Sequence, residues 1–204
     1  MIGIIDYGMG NLRSVENALH KIGVFCVISN DKQELLECDK WILPGVGAFQ
    51  DAMKNIKECD LYDFIKEQVT IYHKPLLGIC LGMQALFDSS NENGYTQGFG
   101  FIQGDVVLME DDSVRIPHIG WNLLEKNKDY PLFDRISLEP FVYYVHSYAA
   151  SNYNEEDLYG YSRYGNLKIP GLVGHKNVLG CQFHPEKSGE DGLNILKYFV
   201  EEFV

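Results

Sequence analysis

The chain has 204 residues, 46% of them hydrophobic and 23% charged, which suits one globular domain and excludes disordered, collagen-like and coiled-coil readings. Its net charge of −12 repels phosphate backbones and argues against a nucleic-acid partner. Five cysteines without a C-x-x-C pair argue against a disulfide scaffold or zinc ribbon and for a reducing compartment. No apolar run reaches membrane-spanning length, and Met1 to Asp6 lacks signal-peptide character, so a soluble cytoplasmic protein with no membrane partner is expected.

In chain order, Ile2, Ile4 and Ile5 read as a buried strand, followed by a turn over Asp6-Tyr7-Gly8-Met9-Gly10. Asn11 is placed to cap a helix whose apolar residues, Leu12, Val15, Leu19 and Ile22, recur at helical spacing, and Gly23 fits its stop. Val24 to Ile28 and Trp41 to Leu43 read as further strands, the latter ending at Pro44. Helical patterns run from about Phe49 to Ile56 and from Leu61 to Val69. A fourth strand, Pro75 to Cys80, leads directly into a helix from Leu81 to Phe87. This alternation predicts βαβ units and a parallel sheet, with ligands beyond the strands' carboxyl ends.

The second half opens with a Gly- and Asn-rich loop, Asn91 to Gly100. Short β-type runs follow at Ile102 to Met109, Phe141 to Tyr148, Leu158 to Tyr164, Leu172 to His175 and Val178 to Phe183. A helix from about Leu193 to Phe203 closes the chain. The aromatic density from Phe141 to Tyr148 predicts a strand packed on both faces. No repeat or linker interrupts the chain, so a single α/β domain over 1–204 is expected, a mostly parallel sheet flanked by helices with an antiparallel extension.

The sharpest local signal is Gly78-Ile79-Cys80-Leu81-Gly82, between a buried strand and a helix. Glycines two residues either side of a nucleophile allow the tight strand-to-helix elbow known for serine in α/β-hydrolases. A cysteine at a helix N-terminus meets a dipole and free N–H groups that favour thiolate, and the Leu81 N–H points where an oxyanion would form. Alone, the segment also suits a buried structural cysteine between packing glycines.

A cysteine nucleophile needs a base and an orienter. Gln182-Phe183-His184-Pro185-Glu186 ends the last strand. Pro185 biases His184 toward an extended conformation, in which His184 and Glu186 face the same side. Taken singly, this tripeptide also suits a surface turn; jointly with Cys80 it points to covalent catalysis.

Pro44-Gly45-Val46-Gly47-Ala48-Phe49 reads on its own as a plain βα loop, but its glycines would let backbone N–H groups approach a ligand, which makes it a candidate second oxyanion donor. Arg13 stands where a dinucleotide fingerprint needs its third glycine, and no G-x-x-x-x-G-K-[ST] occurs, so no nucleotide cofactor is expected. His118 and His146 stand in unusual contexts but form no metal spacing with another His or Cys, and no metal is expected. His20, His73 and His175 read as surface or packing residues, Met83 and Met109 as core, and Cys181 as buried and inert.

GICLGMQ at Gly78 to Gln84, with His184-Pro185-Glu186, resembles the class I, triad-type glutamine amidotransferases. DYGMGNLRS at Asp6 to Ser14, PGVGAF at Pro44 to Phe49, PHIGWN at Pro117 to Asn122 and QFHPEKS at Gln182 to Ser188 narrow the likeness to the glutaminase subunits of imidazole glycerol phosphate synthases. It spans essentially the whole chain. The resemblance implies a flavodoxin-like amidotransferase fold, with Cys80 as nucleophile, His184 as acid and base, and Glu186 as orienter. It implies backbone donors for the oxyanion at Gly47 and Leu81. Gln84 and the Ser147-Tyr148 backbone would hold L-glutamine, and Asn11, Trp121 and Lys187 would lie on the partner-facing side. The implied partner is a (β/α)₈ cyclase subunit, forming a heterodimer, and the implied chemistry needs no cofactor. Two alternatives share these motifs: a paralogous glutaminase feeding another ammonia-using synthase, as in surface-sugar modification, and a catalytically silent regulatory subunit.

Overall fold

The computed structural model describes residues 1–204. Apolar strands and amphipathic helices alternate through the first half: β1 (Ile2–Ile5), α1 (Leu12–Lys21), β2 (Cys26–Ser29), α2 (Lys32–Leu36), β3 (Lys40–Gly45), α3 (Phe49–Glu58), α4 (Tyr62–Thr70), β4 (Leu76–Cys80) and α5 (Leu81–Gln84). The second half is mostly β: β5 (Ser89–Ser90), β6 (Thr96–Gln97), β7 (Asp105–Leu108), β8 (His118–Leu123), β9 (Glu125–Lys126), β10 (Phe141–His146) and β11 (Tyr148–Ser151). It continues through β12 (Leu158–Tyr164), β13 (Leu167–His175) and β14 (Val178–Cys181) to α6 (Gly189–Glu201).

The main sheet has eight strands in the order β2-β1-β3-β4-β14-β13-β12-β9. Pairing is parallel from β2 to β14 and antiparallel beyond it, as the expected antiparallel extension requires. Two smaller sheets were not expected: β10 pairs with β8, and β11-β7-β5-β6 forms a separate layer. Alternation along the strands divides the core in two. Ile4, Ile42, Leu77 and Leu179 bury against Val15 and Leu19 of α1 and Leu196 and Phe199 of α6. Ile5, Trp41 and Leu43 bury on the other face against Phe49 and Met53 of α3 and Ile65 of α4.

Several expected boundaries move for identifiable reasons. The Asn11 side chain makes no capping hydrogen bond; its backbone carbonyl instead accepts from Ser14 and Val15 N–H. Val24 is not strand, because its N–H donates to Leu19 O and finishes α1. α5 stops at Gln84 rather than Phe87, since residues 98–102 donate to the carbonyls of Ala85, Leu86, Phe87 and Asp88. α2 and β8 were not anticipated. α6 begins at Gly189, four residues earlier than its apolar pattern suggests.

β10 is not packed on both faces. Val142, Tyr144 and His146 are buried, whereas Phe141 and Val145 are exposed. The register sets Phe141, Tyr143 and Val145 opposite Leu123, Trp121 and Ile119 of β8. The outer face of this hairpin is therefore a continuous apolar surface open to solvent.

Candidate active site

Parallel β4 ends at Cys80, in the middle of the main sheet, and the chain turns there into α5. Cys80 has φ +55° and ψ −112°, a conformation that costs a residue bearing a β-carbon about 1–3 kcal/mol. The flanking glycines make the elbow possible. A β-carbon at Gly82 would overlap the Leu43 carbonyl oxygen, and one at Gly78 would lie 2.6 Å from Gly82 O. The turn thus presses α5 against β3, which carries the Pro44 to Gly47 loop.

That loop is anchored from below. The buried Tyr7 hydroxyl donates to Pro44 O at 2.8 Å. Tyr7→Phe keeps the ring but leaves Pro44 O without its donor. The expected cost is about 1–3 kcal/mol of stability, checked by urea unfolding. An unchanged midpoint would mean that the carbonyl finds another donor.

His184 follows β14, the strand beside β4. Its Nδ1 lies 2.8 Å from Glu186 Oε1, with both side chains almost wholly buried. The pair forms differently from the sequence expectation. His184 itself is extended, as Pro185 predicts, but Pro185–Lys187 is a turn of 3₁₀ helix rather than extended chain, and it folds the carboxylate back onto the ring. His184 N–H donates to Tyr143 O, and Ser188 Oγ donates to His184 O, tying this turn to β10. His184 Nε2 has no hydrogen-bond partner. Burial alone would push the imidazole's pKa down, but the Cys80 sulfur and the Glu186 carboxylate outweigh it and hold it up at about 9.

Cys80 and His184 open into a cavity of about 310 Å³ that Gly47, Leu81, Gln84, Ser147 and Tyr148 also line. Gln84 Nε2 donates to Tyr148 O at 2.9 Å and to Gln182 Oε1 at 3.1 Å. These bonds use both of its hydrogens, leaving only its carbonyl oxygen for a ligand. Gln182 Nε2 in turn lies 3.8 Å from Cys80 Sγ.

Three lining or supporting residues were missed from the sequence. Gln182 lay inside a quoted motif but had no assigned part. Glu92, in the Asn91 to Gly100 loop, borders the cavity and accepts from Phe49 N–H at the start of α3, 2.7 Å away. His146 also borders it. A carbonyl can only accept, so His146 Nδ1–H donates to Tyr148 O at 2.8 Å, and Nε2 then accepts from His118 Nδ1, 3.1 Å away. Burial lowers both histidines to about 4, so both are neutral near pH 7. Cys181 is wholly buried, and burial pushes its thiol far up, as an inert residue requires.

The class-I glutamine amidotransferase family model matches residues 3–203. The imidazole glycerol phosphate synthase subunit HisH of Bacillus cereus (strain G9842) is 51% identical, over 98% of this chain and 93% of that protein. HisH of Lactococcus lactis subsp. lactis (strain IL1403) is 48% identical over 98% of both chains. The chain belongs to the class-I glutamine amidotransferases, as a HisH-type member. Solved structures agree on the fold. A glutamine amidotransferase superposes with TM-score 0.77 at 20% identity, over 98% of this chain and 97% of that one. PurLQS from Thermotoga maritima gives 0.69 at 19% identity, over 98% and 96%.

Not every residue singled out for the HisH-type site meets the cavity. Glu186 lies behind His184, and Asn11 begins α1 outside the lining. Trp121 and Lys187 are also outside but share a neighbour. The Tyr143 ring stands edge-on to Trp121 at 6.1 Å, with Lys187 Nζ 5.9 Å from its centroid. A single aromatic-basic strip thus joins two of the three partner-facing candidates to the exposed face of β8 and β10.

Proposed function

We propose that this chain, as a single glutaminase domain over residues 1–204, hydrolyses L-glutamine through a Cys80 thioester and passes the ammonia to a (β/α)₈ cyclase subunit. The reaction is a step of histidine biosynthesis, in which the cyclase forms imidazole glycerol phosphate and AICAR. The observation that carries the reading is Cys80 on a strained elbow, sharing a cavity with the buried His184–Glu186 pair.

Cys80 thiolate attacks the amide carbon of glutamine, and backbone N–H groups of Leu81 and the Gly47 loop receive the oxyanion. His184, held protonated by Glu186 and the sulfur, gives its Nε2 proton to the departing nitrogen. Ammonia leaves and a glutamyl thioester remains. The now neutral His184 takes a proton from water, whose oxygen attacks the thioester. Glutamate leaves, and the thiolate–imidazolium pair is restored. The Gln84 side-chain oxygen and the Ser147-Tyr148 backbone hold the substrate, and the Glu92 carboxylate offers a counter-charge for its α-ammonium. No cofactor enters these steps.

Ammonia released into water becomes ammonium and stops being a nucleophile, so the synthase has to dock directly. The exposed apolar face of β8 and β10, beside Lys187, supports docking there. Trp121→Ala is expected to weaken association with the cyclase barrel by about 2 kcal/mol, measured by titration calorimetry. An unchanged Kd would move the interface elsewhere. No helix is long and apolar enough to cross a membrane, and five free cysteines fit a cytoplasmic setting.

A glutamine-like electrophile tests the site itself. It should form one adduct, on Cys80, by peptide mass spectrometry, with glutamine protecting and ester analogues not. Adducts that form equally well in the presence of excess glutamine would oppose the assignment.

A further inference from the structure

On the flank of α1 that faces the sheet edge, Glu16 and His20 stand one helical turn apart. They meet Cys26, the first residue of the edge strand β2. His20 Nε2 lies 3.8 Å from Cys26 Sγ, and the carboxylate, imidazole and sulfur atoms all fall within 4.8 Å of one another. None of the three takes part in the glutaminase chemistry.

The geometry points to a binding site for a Zn²⁺-like divalent cation, with Glu16, His20 and Cys26 as its protein ligands. Bonds of about 2.0–2.3 Å to nitrogen, oxygen and sulfur put tetrahedral ligand atoms roughly 3.3–3.6 Å apart. The sulfur–imidazole separation is nearly there already, and rotation of the exposed His20 side chain, with a smaller adjustment of the largely buried Glu16 carboxylate, closes the rest. The donor set selects the cation. Thiolate and imidazole are poor ligands for Mg²⁺ or Ca²⁺ and good ones for Zn²⁺ or Co²⁺.

Charge and access also fit. One carboxylate and one thiolate balance a divalent cation, so the occupied site is neutral. The cation binds the thiolate, so the Cys26 S–H proton leaves to solvent on binding. Arg13, which now pairs with Glu16 at 2.6 Å, is largely exposed and can swing away, giving up an ion pair of little net value. A depression of about 430 Å³ bordered by Asp6, Arg13, Glu16 and Cys26 provides an entry path and room for water as the fourth ligand. Occupancy would tie α1 to the edge of the sheet.

The test uses the full-length Cys80→Ala chain, because Cys80 and His184 are themselves a thiol–imidazole donor pair. Titration with Co²⁺ should give one equivalent with a near-ultraviolet thiolate-to-cobalt band and tetrahedral visible bands, displaced by Zn²⁺. Cys26→Ser should remove the charge-transfer band. His20→Ala, at an exposed position, and Glu16→Gln, which keeps the side chain's size, should each weaken binding by at least the roughly 10–100-fold that losing an outer-shell partner costs. Zn²⁺ should also raise the Tm of the Cys80→Ala chain but not of its Cys26→Ser derivative. Absence of the band, its survival in Cys26→Ser, or unchanged affinity in His20→Ala or Glu16→Gln would overturn the three-ligand site.

Discussion

Replacing Cys80 with alanine should cut glutamate formation by on the order of 10⁴-fold or more, while the chain stays folded and still binds the cyclase barrel. Removing the sulfur removes the covalent step, and no second thiol can stand in. Cys181 is in the adjacent strand but wholly buried. Replacing Cys80 with glycine should abolish activity equally and yet give a different stability. Alanine keeps the β-carbon that makes φ +55° costly, whereas glycine removes that strain at a smaller entropic cost. The glycine chain should be more stable than the alanine chain by about 1 kcal/mol in urea unfolding. Equal stabilities would show that the elbow stores no strain, and residual Cys80-independent hydrolysis would remove the nucleophile from the mechanism.

The second large effect concerns Glu186→Gln. Burial works against a charged His184, and the Cys80 sulfur and Glu186 carboxylate reverse that, raising the ring to about 9. In the proposed mechanism that proton goes to the departing nitrogen, so activity should fall as pH rises through about 9. Glutamine in place of Glu186 takes away the buried counter-charge and frees the ring to adopt the wrong tautomer. The alkaline limb should move to lower pH, and kcat should drop by about 10²–10⁴. Stability follows the same linkage. A folded-state pKa above the ordinary 6.5 contributes stabilisation that is complete below 6.5 and is lost as pH rises through about 9. Wild-type stability should therefore decline across that window, and the glutamine variant should lose the part of this component that Glu186 contributes, keeping the part due to Cys80. An alkaline limb left in place by the substitution would mean that Glu186 does not set the ring's protonation.

Local chemistry makes half of this site legible in the sequence alone. Gly78 and Gly82 flank Cys80 because backbone crosses backbone at the elbow, and that spacing is visible in five residues. The His184–Glu186 pair was legible as a pair, but its geometry was not, because Pro185 starts a 3₁₀ turn where an extended segment was expected. The short α5 has the same lesson. Its apolar pattern continues to Phe87, yet the loop through residues 98–102 takes the carbonyls that further helix would need.

What stayed hidden depends on contacts far apart in sequence. Gln84 meets Gln182 across 98 residues and His118 meets His146 across 28, separations that no local periodicity encodes. Glu92 sits in a polar loop whose composition gives no hint that it borders the cavity. The exposed face of β10 was misread for a related reason. Aromatic density implies a surface that wants burial, but composition cannot say whether the burying surface belongs to this chain or to a partner.

The most direct test is glutamate release from glutamine by this chain, alone and titrated with the cyclase barrel and its phosphoribosyl ligand, beside the Cys80→Ala chain. The proposed function requires hydrolysis that rises strongly, saturates at one barrel per chain and disappears in the variant. A folded chain that binds the barrel but releases no glutamate in any mixture would contradict it and favour a silent regulatory subunit.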